Sequence, residues 1–134
     1  MEQTDFILRQ IQQFGILIKS LFDKLFKENN LSDNEKNELF KIEFEKIFEI
    51  KFEKIEDYSK AEFDNFLNER SINNSDKIVL AEILYHLSQN SDSNYKNKLL
   101  EKSLFIYENI INEKPNEYSI KEQNMIRLIK EKLH

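Results

Sequence analysis

Phe40-Lys41-Ile42-Glu43-Phe44-Glu45-Lys46-Ile47-Phe48-Glu49-Ile50-Lys51-Phe52 is the stretch on which the fold class turns. It carries two periods at once. Phe40-Ile42-Phe44 and Phe48-Ile50-Phe52 alternate with charged residues, as a half-buried strand does. Phe40, Phe44, Ile47, Phe48, Phe52 and Ile55 also share one face of a helix. Two features decide for the helix. Upstream, Ser32-Asp33-Asn34-Glu35 has the spacing of a capping box, in which the Ser oxygen takes the N3 amide and the Glu reaches back. The intervening Glu and Lys residues are poor strand formers. A helix continued through Lys51 would put that ammonium in the middle of the apolar face. The regular helix is therefore predicted to end near Glu49 or Ile50, with an irregular segment holding Phe52 and Ile55 against the core.

On the N-terminal side, Ile7, Ile11, Phe14, Ile18, Leu21 and Leu25 are spaced 4-3-4-3-4. They predict an amphipathic helix from about Asp5 to Phe26, widened by Leu8, Leu17, Phe22 and Phe26, with Thr4 or Asp5 as its cap. Gly15 sits inside it, at a cost of about 1 kcal/mol against Ala. That points to the close approach of a neighbouring helix, or of a ligand or partner backbone. Ile16 falls on the polar side of the stripe and is the first candidate for a partner contact.

On the C-terminal side, Ser59-Lys60-Ala61-Glu62 is a second capping box, opening a short helix with Phe63, Phe66 and Leu67 inward. Ser75 or Asn74 is expected to cap a helix over Asp76–Gln89. Asn90 to Asn94 reads as a loop. A further helix from about Tyr95 to Asn112 buries Leu99, Leu100, Ser103, Leu104, Tyr107, Ile110 and Ile111. Lys114-Pro115-Asn116 stops it. A third capping box, Ser119 with Glu122, starts the last helix, whose apolar residues are Ile120, Met125, Ile126, Leu128, Ile129 and Leu133.

The whole chain agrees with this reading. It has 134 residues, 11 Phe, one Gly, one Pro and no Cys. So few turn residues exclude a sandwich or barrel, and the lack of glycines excludes Walker and dinucleotide loops. Without cysteine there is no disulfide framework and no thiolate chemistry. The formal net charge is -5, with both signs interleaved from Lys41 to Lys54, which predicts a solvated mixed surface and no nucleic-acid partner. No apolar run reaches the roughly 20 residues of a membrane span, and the acidic first residues do not resemble a leader. A cytoplasmic protein is expected. The abundance of Lys, Asn, Ile, Phe and Glu suggests an AT-rich bacterial genome.

Two segments carry a resemblance. Asp5-Phe6-Ile7-Leu8-Arg9-Gln10-Ile11-Gln12-Gln13-Phe14-Gly15 resembles the D-[YF]-[IL]-x-R-x-I-x-x-[LF]-G segment of a bacterial family of small helical proteins of unknown function. In that family a tetratricopeptide-like helical pair follows a variable middle. Leu80-Ala81-Glu82-Ile83-Leu84-Tyr85 and Lys102-Ser103-Leu104-Phe105-Ile106-Tyr107-Glu108 are similar to the two helices of such a pair, with Pro115 closing it. Ser103 stands where the small residue is usually Ala, and only one unit is recognisable, short of the three or more that stack into a solenoid. The periodicities, capping boxes and short linkers predict an all-α, compact bundle of five or six helices in one domain, 1–134, to which the resemblance adds the tetratricopeptide-like pair. Residues 1–70 form the N-terminal helices, and residues 75–134 the tetratricopeptide-like pair plus a C-terminal helix.

Chemistry-bearing clusters are sparse. His86 and His134 are the only histidines; Glu82 and His86 lie four apart, a weak basis for a metal site. Glu45, Glu49 and Glu53 would form an acidic ridge on a solvated face. Arg9, one of three arginines, is expected in a surface ion pair, with an anion or buried carboxylate as the sharper role. No catalytic residue, no cofactor and no metal are expected. The leading functional expectation is a non-enzymatic interaction or scaffold module, binding a protein partner or itself. Its candidate residues are Arg9, Gly15, Ile16, Phe44, Phe48 and Phe52. The alternative is a small-molecule or lipid-binding domain in which Phe44, Phe48, Phe52 and Phe63 line a pocket.

Overall fold

Ser32 adopts an extended conformation, accepts the Glu35 amide at 3.2 Å and receives the Glu35 carboxylate on its own amide at 3.1 Å. Ser59 and Glu62 repeat the exchange at 3.2 and 3.0 Å. Both boxes satisfy amides that a helix start leaves open. The Ser amides hold the Glu35 and Glu62 carboxyls below their ordinary values. The structure, a computed structural model, describes residues 2–27, 30–113 and 120–133, and in the first helix the side chains from residue 13 onward. The Ser119 box, the stop at Pro115, the Arg9 side chain and His134 lie outside what is described, whereas the first helix begins at Glu2, so Thr4 and Asp5 fall inside it and not at its cap position.

Among the described residues seven helices follow in order: α1 Glu2–Phe26, α2 Asp33–Phe48, α3 Phe52–Ile55, α4 Lys60–Glu69, α5 Asn74–Ser88, α6 Ser93–Glu113 and α7 Ile120–Lys132. There is no strand among the described residues. The segment after α2, expected to be irregular, is itself a helical turn. Glu49 takes a left-handed conformation (φ 60°) and donates its amide to the Glu45 carbonyl, which ends α2. Lys51 is extended and exposed, and α3 begins after it, with Phe52 and Ile55 buried. The break thus keeps the lysine in water and both apolar residues in the core.

The cap of α5 also differs from expectation. Asn73, not Asn74 or Ser75, takes the extended cap position and accepts the Asp76 amide at 2.9 Å. Ser75 instead donates its hydroxyl to the same Asn73 oxygen.

α1 runs between α2 and α5. Phe14 stacks on Phe48 at 5.8 Å while Lys24 reaches Glu43 at 3.7 Å, so α1 and α2 are antiparallel. Asp76 lies against Gly15 and His86 against Phe22 and Phe26, so α1 and α5 run the same way. α5 and α6 form a hairpin that carries the largest interface, and α7 covers α6. Between the hairpin helices, buried Ser103 donates to the Ala81 carbonyl at 2.8 Å, which satisfies its hydroxyl.

Tyr95 carries a buried hydroxyl with no partner. Burial, helped by the Glu56 and Glu53 charges, pushes this phenol above its ordinary 10.0. The unfolded phenol ionises first, so the stability it contributes is complete below 10.0 and drains away as the pH rises toward the folded value. Tyr95→Phe removes an unanswered hydroxyl. It is expected to be neutral or stabilising by up to about 1 kcal/mol at pH 7, and to flatten the alkaline fall. Urea melts of both proteins across the alkaline range measure it; a Phe variant that falls as steeply as the parent contradicts it.

Candidate functional site

Phe40, Phe44, Phe48, Phe52, Phe63 and Phe66 form one buried aromatic cluster. Phe44 stands at its centre, with ring centroids 5.6 Å from Phe40, 4.5 Å from Phe48, 5.2 Å from Phe52 and 6.3 Å from Phe66. These rings fill one another's space. Phe44, Phe52 and Phe63 are each no more than 1% exposed, and Phe48 also lines an opening.

That opening is a cleft of about 650 Å3 where three helix segments meet. α1 contributes Gln13, Phe14 and Leu17. The end of α2 contributes Lys46, Ile47, Phe48 and Glu49, and the end of α4 contributes Glu69, Arg70 and Ser71. Phe14, Leu17, Ile47 and Phe48 make an apolar floor, and charged groups of both signs stand at the rim. Glu49 and Ser71 (φ 53°) are the two left-handed non-glycine residues among those described, and both line the cleft. Such backbone costs of order 1 kcal/mol per residue and concentrates where a structure is shaped for a task.

Arg70 holds the cleft's two helix ends together. Its guanidinium lies 3.9 Å from the Phe66 ring centroid, donates to the Phe66 carbonyl at 3.0 Å and to the Phe48 carbonyl at 3.4 Å. The cation thereby neutralises the negative ends of α4 and α2 at once. Glu69 accepts from Asn65 at 3.0 Å, and the Lys46 ammonium leans back toward Glu43 at 3.9 Å. Glu49 is exposed and has no ion-pair partner among the described residues.

The remaining candidates are placed as follows. Gly15 is buried against Asp76; a Cβ there would stand 2.5 Å from Asp76 Oδ2. Close approach is what the sequence argued, although it is a side chain that approaches. Ile16 is 67% exposed, beside the cleft residue Leu17 in sequence but on the outer side of α1. His86 is exposed among Phe22, Phe26 and Tyr85, and Glu82 pairs with Lys121 at 3.8 Å. No cluster of three or more metal-ligating side chains exists among the described residues.

Sequence reasoning missed Lys102, which is buried on α6 and donates its Nζ to the Glu56 carbonyl at 2.6 Å. Burial pushes this ammonium's pKa down. A buried amine with altered basicity is a candidate nucleophile in principle. Here it is buried and pins α6 to the end of α3. No signal short of the tertiary packing marks it.

No family model, no curated protein and no solved structure matches the chain. Among the described residues, no helix is long and apolar enough to cross a membrane.

Proposed function

We propose that this protein is a non-enzymatic interaction module that engages its partner through the cleft between α1 and the ends of α2 and α4. The observation that carries the reading is the cleft itself: an apolar floor, a charged rim, and both left-handed non-glycine residues gathered on one opening. Apart from Phe48, the rings of the aromatic cluster are buried away from the cleft, and so is the Lys102 pin. On this reading α5 and α6 are a tetratricopeptide-like pair, supported by the Ser103–Ala81 contact between them, and serve as the rigid wall behind α1. The protein is taken as cytoplasmic and bacterial, a member of the small helical family that its Asp5–Gly15 segment resembles.

A photo-crosslinking amino acid placed at Lys46 on the rim, with a control at Lys121 on α7, tests this in cells. A discrete protein adduct at 46 and none at 121 is the expected result. Equal, diffuse labelling at both sites contradicts it. A discrete adduct of small-molecule mass at 46 would favour the alternative of a ligand-binding domain, for which a cleft of this volume is also large enough.

A further inference from the structure

We draw no further inference here: the strongest candidate, the apolar-floored cleft between α1 and the ends of α2 and α4, belongs to the site already described, and nothing in the structure shows what covers it.

Discussion

Phe44→Ala lowers the free energy of unfolding by about 3–5 kcal/mol, the range for emptying a fully packed aromatic position. The side chain is 1% exposed and touches four other Phe rings, so the structure around it has little freedom to collapse into the void. A loss of that size is a large share of the total stability of an ordinary domain. Ile42→Ala, two residues away, changes stability by no more than about 0.5 kcal/mol, because Ile42 is 51% exposed. The contrast discriminates between the two readings of this stretch. In a strand Phe40, Ile42 and Phe44 share a face and suffer together; in a helix Ile42 points outward. Urea denaturation of the two variants reads the difference directly, and similar losses in both would contradict the helix.

Gly15→Ala destabilises the protein by about 1–3 kcal/mol, although alanine is the better helix residue by about 1 kcal/mol. The added methyl would stand 2.5 Å from Asp76 Oδ2 and 3.0 Å from Cγ. Asp76 is short and buried in the first turn of α5, so its carboxylate must turn within packed surroundings, or α1 and α5 must part, to admit the methyl. The cost resides in that one contact, which predicts a change of sign. In an Asp76→Ala background the obstruction is gone, helix propensity decides, and Gly15→Ala stabilises by about 1 kcal/mol. A double-mutant cycle by urea melts measures both arms. The same sign in both backgrounds would mean that the glycine answers some other constraint.

Much of the architecture was legible because it depends on local patterns. The period of Phe40, Phe44, Ile47 and Phe48, together with the Ser32 and Ser59 boxes, places α2 and α4 within a residue or two of where they lie. The awkwardness of Lys51 foretells the break after α2. The hairpin face of α6 is buried as expected from Leu99 to Ile110, with Ile111 left half-buried. What local patterns miss is set by tertiary geometry. Asn73 and Asn74 are equally good caps on paper, and the chain direction after Ile72 chooses between them. Lys102 has the charge of a surface residue, and only the end of α3 explains its burial. The cleft is the clearest case. Its walls come from residues 13–17, 46–49 and 69–71, and no period or motif links those three segments. Its two left-handed residues are Glu and Ser, not the glycines that would have announced them. Of the residues singled out in advance, Phe48 reaches the cleft and Gly15 and Ile16 sit beside it in sequence, while Phe44 and Phe52 hold its floor from behind.

The account turns on the cleft being the place where this protein is engaged, and the residue-46 crosslink tests that most directly. Illumination in cells should give one discrete protein adduct through position 46 and none through position 121. Indistinguishable labelling from the two positions would contradict it.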